Sequence, residues 1–271
     1  MPQLELDWQG GVAEARLRKR RPGVDDLPWG TLEGALPDDA AARARLSWTD
    51  GAFTEYASAA AFAALSTALL EAGAPIDLVA MAADFVVDEM LHVELSARVC
   101  AELGGAAPYH VDLEKVSPLL PAGLPAIERA AELAIAISCV GESLSVPVLA
   151  GSMRAADHPL TRAVLRRLVQ DEPAHARIGW LVLDWAGARV DKARLAAATR
   201  ERIAAYAPLW TSPPCRDAPD DERAIAGSMT EAQLRRALVG AVRHDVARPL
   251  AARGIDVDLS GLVPDPRGGG A

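Results

Sequence analysis

Asp88-Glu89-Met90-Leu91-His92 and Asp171-Glu172-Pro173-Ala174-His175 are two copies of one short pattern, and their reading decides the fold. Each contains Glu-x-x-His. On a helix, residues three apart lie on one face, so each copy presents a carboxylate and an imidazole to the same point. A single Glu-x-x-His arises readily by chance. Two copies, both opening on Asp-Glu and both inside a long helical pattern, are a much stronger signal. Phe85, Glu89, His92, Ser96 and Val99 share one face, and Leu168, Glu172, His175, Gly179 and Val182 share another.

Two further stretches place one glutamate each on a stripe of the same kind. Trp48, Ala52, Glu55, Ala59, Phe62 and Leu69 follow a spacing of three and four. Ile135, Ser138 or Cys139, Glu142, Ser145 or Val146, and Leu149 form the other stripe. Turn residues set the limits of four helices. The first runs from Pro37-Asp38-Asp39 to Ala72 and stops at Gly73-Ala74-Pro75. The second runs from about Pro75 to Leu103 and stops at Gly104-Gly105. The third covers Leu124 to Ala155. The fourth follows Ala156-Asp157-His158-Pro159 and ends near Ala188. Gly141 and Pro147 in the third helix, and Pro173 in the fourth, are local breaks beside the glutamates, where a kink or a functional distortion is expected.

Short connections make consecutive helices antiparallel neighbours. Glu55 lies 18 residues before Gly73 and Glu89 lies 15 after Ala74, so their levels differ by about one turn. Glu142 and Glu172 each lie 15 residues from Asp157 and should be level. Residues 105–123 are far longer than an antiparallel turn needs. A connection running back along the bundle must cover roughly 45 Å, and these 19 residues can extend to roughly 60 Å. The second and third helices are therefore expected to be parallel, joined by a long crossover.

Four glutamates and two histidines inside a bundle have no bland explanation as a group. A buried carboxylate is costly unless it is paired or bound to metal. The inward stripes hold no lysine or arginine to neutralise them, whereas cations would do so directly. Oxygen-rich ligation with one imidazole per metal suits iron or manganese.

On these residues the chain resembles the ferritin-like di-iron carboxylate superfamily. That family's pattern is one glutamate from each of two helices and Glu-x-x-His from each of the other two. Glu55, Glu89-x-x-His92, Glu142 and Glu172-x-x-His175 match it in order, over residues 45–188. The resemblance implies an all-α fold and two iron ions, with Mn/Fe as a variant. It implies that Glu89 and Glu172 bridge the metals, that Glu55 and His92 complete one, and that Glu142 and His175 complete the other. Metal-bound imidazoles usually donate their second N–H to a carboxylate. Asp88 is then the expected partner of His175, and Asp171 that of His92. The function implied is a non-haem di-iron oxidase or oxygenase taking O2, a small organic substrate and an external electron donor. Ferroxidase or iron-storage activity, and a rubrerythrin-like peroxidase, are the alternatives; the absence of a four-cysteine module weighs against the last.

The remainder of the chain is less informative. At 51% hydrophobic and 4% aromatic, its composition suits packed helices. A net charge of −9 argues against a nucleic-acid partner. Cys100, Cys139 and Cys215 are too far apart for a disulfide scaffold or a zinc site. No uninterrupted apolar stretch looks long enough for a bilayer, and residues 1–7 show no secretory pattern, so a cytoplasmic protein is the default, with a homodimer as a conceivable assembly. Residues 1–37 are expected to be irregular, apart from a short strand suggested by Leu4, Leu6 and Trp8. Their basic run Arg16–Arg21 reads as a solvated face or a docking patch. Residues 38–190 are expected to form the bundle. Residues 191–263 should add two helices, at 191–207 and from Thr230 to about Arg248, and 264–271 should form a disordered tail.

Overall fold

A computed structural model describes residues 6–107, 123–211 and 218–264. It is all-helical, with no strand among the described residues. Four long rods dominate: α2 (Asp38–Glu71), α3 (Ile76–Glu102), a third rod spanning Ala126–Ala155, and α6 (Pro159–Ala186). Asp38 and Asp39 occupy the first turn of α2, where the helix dipole favours negative charge. Gly73, at φ 64°, ends that helix and turns the chain into α3.

The third rod is not uniform. It begins as α4 (Ala126–Ala134), passes through a π-helical segment (Ile135–Glu142) and continues as α5 (Ser143–Ala155). The distortion expected near Gly141 is therefore a π segment that ends on Glu142. Both Ser138 and Cys139 are buried there, Cys139 within the apolar cluster that includes α7 residues.

Two apolar layers give the direction of each rod. At one end, Phe62 and Leu69 from late α2, Phe85 from early α3, Leu133 from early in the third rod, and Ile178 from late α6 pack together. At the other end, Ala44 and Trp48 from early α2 meet Leu95 and Val99 from late α3 and Leu160 and Val164 from early α6. So α2 is antiparallel to α3, α3 is parallel to the third rod, and α6 is antiparallel to that rod. Residues 108–122, where the crossover was expected, lie outside the described residues. The arrangement is compatible with a ferritin-like bundle.

A third apolar cluster covers the other side of the third rod. Cys139, Val140 and Leu144 pack there against Leu195 and Ile203 of α7 (Lys192–Tyr206) and Leu238 of α10 (Glu231–Ala241). Being buried on two faces explains why this rod is apolar nearly all round. The third rod and α2 are long and apolar enough to cross a membrane by length and composition, contrary to the expectation that no stretch would be, but both serve as core helices here.

Other expectations need correction. Gly11–Arg20 is a helix, α1, inside the stretch expected to be irregular; residues 6–10 have no regular structure, and residues 1–5, including Leu4, are not described. The C-terminal region holds more than two helices. Short α8 (Pro208–Thr211) and α9 (Asp220–Ala226) precede α10, and a second π segment (Val242–Ala247) and α11 (Arg248–Ala251) follow it. Asp191 caps α7 by accepting from the amides of Ala193 and Arg194. Thr230 and Gln233 form a capping box on α10. Residues 265–271, most of the expected tail, and Cys215 are outside the described residues.

Arg18, Arg20 and Arg21 of the basic run pair with acidic residues of α3, while Arg16 and Lys19 are exposed. No residue of α1 is buried, so arginines rather than an apolar face attach it to α3. Arg18 makes a two-pronged contact with Glu94, at 2.6 and 2.8 Å. Arg20 pairs with Asp84, and Arg21 donates from Nε to Asp88.

Candidate metal centre

Between the two end layers, Glu89, His92, Glu172 and His175 meet. One ligand atom from each lies within 4.8 Å of all the others, and all four residues are buried. Each Glu-x-x-His copy lies on one uninterrupted helix, so the helical period aims both of its side chains inward.

The two shared carboxylates sit between the imidazoles. Glu89 places Oε1 3.0 Å from His175 Nδ1 and Oε2 3.4 Å from His92 Nδ1. Glu172 places Oε1 3.2 Å from His92 Nδ1 and Oε2 3.6 Å from His175 Nδ1. Each glutamate therefore turns one oxygen toward each histidine. Both Nδ1 atoms and all four of these oxygens are buried without a hydrogen-bond partner among the described residues. Buried polar atoms are normally satisfied, so six orphans aimed at one volume mark a place for cations.

The outer nitrogens are held as expected. His92 Nε2 lies 3.2 Å from Asp171 Oδ2, and His175 Nε2 lies 3.5 Å from Asp88 Oδ2. Each aspartate is in turn gripped by an arginine: Asp171 by Arg167 at 2.7 Å, one turn away on α6, and Asp88 by Arg21 of α1. Burial works to raise the Asp88 carboxyl, but His175 and Arg21 outweigh it and hold the group below its ordinary range.

The remaining two predicted residues border this cluster. Glu55 Oε2 lies 3.5 Å from His92 Nδ1, and its side chain is 14% exposed. Glu142 is buried at the end of the π segment, close enough to Glu172, Glu89 and His175 to feel their charges. Burial, reinforced by Glu89 and Glu172 and opposed by His92, raises Glu55 to about 8. Burial and the same two carboxylates raise Glu142 well above the usual range. Burial would lower both imidazoles, but the surrounding carboxylates prevail. Asp88, Glu172 and Glu89 push His175 up to about 12, and Asp171, Glu172, Glu55 and Glu89 raise His92 well above its ordinary value. Glu89 and Glu172, despite burial, are held low by the two histidines. Without metal, the histidines and the two shared carboxylates thus favour one another's charged forms, while Glu55 and Glu142 are pushed toward the neutral form.

A cavity of about 570 Å³ opens onto Glu55 and Glu142. Its wall is mostly apolar, from α2, the π segment and α5, and is bordered by Arg202 and Tyr206 of α7 and Leu209 of α8. A smaller cavity, about 270 Å³, touches Glu55 from another side, near Ser96 and Leu168. His175 faces neither. Phe85 and Phe62 cover it, with ring centroids 4.3 and 5.3 Å from the imidazole. Sequence reasoning did not find Arg202 or Tyr206. Both lie on α7, outside the repeated motif, and nothing in that helix marks them as cavity residues.

No model of a known protein family matches the chain, and no curated protein matches it either. The chemistry must therefore be read from the site. Four clustered ligands and two flanking carboxylates, with oxygen and nitrogen donors and no thiolate, can hold metal ions.

Proposed function

We propose that the chain is a ferritin-like di-iron protein that acts as an oxidase or oxygenase on a small organic molecule. The observation that carries this reading is the cavity that opens onto Glu55 and Glu142, beside a cluster of orphaned ligand atoms. A site meant only to stiffen a bundle has no use for such a space, and a cavity of this size falls in the range that takes small ligands.

Glu89, His92, Glu172 and His175, with Glu55 and Glu142 beside them, are the residues that would hold two iron ions. When bound, such a pair would pass electrons to O2, and the organic substrate would give up the remaining electrons as it is oxidised. The chain's own residues do the rest. Asp171 and Asp88 fix each imidazole so that Nδ1 faces inward. Phe62 and Phe85 keep water from the His175 side. Before metal binds, Glu55, with its raised pKa and partial exposure, can hold a proton at the cavity edge. An external electron donor would return the centre to its reduced form.

The test is anaerobic loading with Fe(II), then O2, with panels of small organic compounds, and a Glu89→Ala control. The expected result is a product that the control does not make. Stoichiometric iron uptake with no product above the control would overturn the oxidase reading. A large hollow assembly that mineralises iron would establish the storage alternative instead.

A further inference from the structure

The large cavity contains one feature that the metal centre does not require. Its charged lining residues are Glu55, Glu142 and Arg202. The two glutamates belong to the metal cluster, which leaves the guanidinium of α7. Neighbouring arginines on that helix are engaged: Arg194 pairs with Glu132, and Arg200 lies 3.4 Å from Asp258 and also donates to backbone carbonyls. Arg202 has no carboxylate within ion-pairing distance among the described residues. It is half-buried, in a wall otherwise built from Ala, Ile, Leu, Val and small polar residues. One turn further along α7, Tyr206 lines the same cavity, so a guanidinium and a phenol hydroxyl stand on one face of the helix.

A guanidinium with no ion-pair partner among the described residues, at the edge of an apolar space, suits a planar anion, to which it can donate two parallel hydrogen bonds. A single cation matches one negative charge better than two. The apolar remainder of the wall matches a hydrocarbon or aromatic body, and Glu55 and Glu142 lie where that body reaches the metal cluster.

We propose that the cavity binds a small monocarboxylate with an apolar body, its carboxylate held by Arg202 with the Tyr206 hydroxyl alongside. The site thereby gives residues 192–211 a purpose beyond covering the bundle. As a substrate assignment this rests on the oxidase reading above; as a binding site it can be measured without turnover.

The experiment is calorimetric titration of the full chain, metal-free and loaded with Mn(II), with octanoate and phenylacetate and with their neutral amides. The carboxylates are expected to bind the parent in both forms, and the amides about tenfold or more weaker. Arg202→Gln should weaken carboxylate binding by about tenfold or more and leave amide binding unchanged, and Arg202→Lys should restore part of the loss. Unchanged Mn(II) uptake by Arg202→Gln shows that the variant is folded. If it does not fold, the carboxylate–amide comparison on the parent decides. The proposal is overturned if neither carboxylate binds the parent, if the amides bind as tightly, or if a folded Arg202→Gln binds carboxylates like the parent. Arg202-dependent carboxylate binding without any O2-dependent product would sink the oxidase reading alone. Oxidation of neutral compounds regardless of Arg202, with no carboxylate binding, would sink this proposal alone.

Discussion

His92 Nε2 lies 3.2 Å from Asp171 Oδ2, across the bundle from its own helix, which leaves Nδ1 as the nitrogen that faces the shared glutamates. His175 and Asp88 repeat this relationship in reverse, so each motif's aspartate orients the other motif's histidine. Replacing Asp171 by Asn should weaken metal binding by about tenfold or more, because such partners fix both ring orientation and ligand basicity. The two pairs differ in their support. Arg167 holds Asp171 from the same helix, whereas Arg21 holds Asp88 from α1. Arg21→Ala should therefore also lower metal affinity, and its effect should not add to that of Asp88→Ala. Mn(II) competition against a chelator measures both. Additive losses, or none, would separate α1 from the metal centre.

Metal binding should release protons. Without metal, His175 is raised to about 12, His92 well above its usual value, Glu55 to about 8 and Glu142 well above the carboxylate range. All four are shifted toward their protonated forms, and protons must leave them before they can serve as ligands. Protons therefore compete with the cation, so affinity should rise as pH rises from 6 to 8. Metal loading should therefore release protons from these groups. Titrating Mn(II) into weakly buffered protein measures the release directly; uptake without any acidification would count against these residues as ligands.

Glu142 should matter with metal and little without it. Metal binds the folded site and hardly the unfolded chain, so it raises the melting temperature by linkage. Glu142→Ala should lose most of that rise. Its metal-free form should be as stable as the parent or more so, because a carboxyl that burial disfavours has gone. Exposed Glu201→Ala of α7 serves as the control. Glu132, although off the metal-facing stripe, is unsuitable because it is buried and paired with Arg194. Melting with and without Mn(II) decides the matter, and equal metal-induced shifts in parent and variant would remove Glu142 from the site.

Gly179 sits one turn beyond His175, where α6 crosses the π segment. A methyl group there would lie 2.6 Å from Cys139 Sγ, 2.7 Å from Ser138 Cβ and 2.9 Å from the Ala134 carbonyl oxygen. The neighbours are partly backbone and cannot all withdraw. Gly179→Ala should therefore destabilise the fold by about 1–3 kcal/mol, the usual range for overpacking. An unchanged urea midpoint would show that this approach is looser than the packing implies.

The sequence by itself determined the four rods and the inward direction of the ligand stripes. The period and rise of a helix are set by its own backbone hydrogen bonds, so spacing along the chain reads directly as face and level. The cross-pairing of Asp88 with His175 and Asp171 with His92 was anticipated from the resemblance and from the partners that metal-bound imidazoles take, not from helix period alone. Tertiary structure alone decided the rest. The arginines of α1 could have faced water; pairing with Asp84, Asp88 and Glu94 depends on acidic residues more than sixty positions away. The stripe around Ser138 and Cys139 was ambiguous because a π segment shifts the helical register, and packing against α6 and α7 decides where that shift falls. The cavity arises from the same cause: its wall joins α2, the third rod and α7, and no local pattern in Arg202 or Tyr206 encodes which surfaces those helices will leave apart.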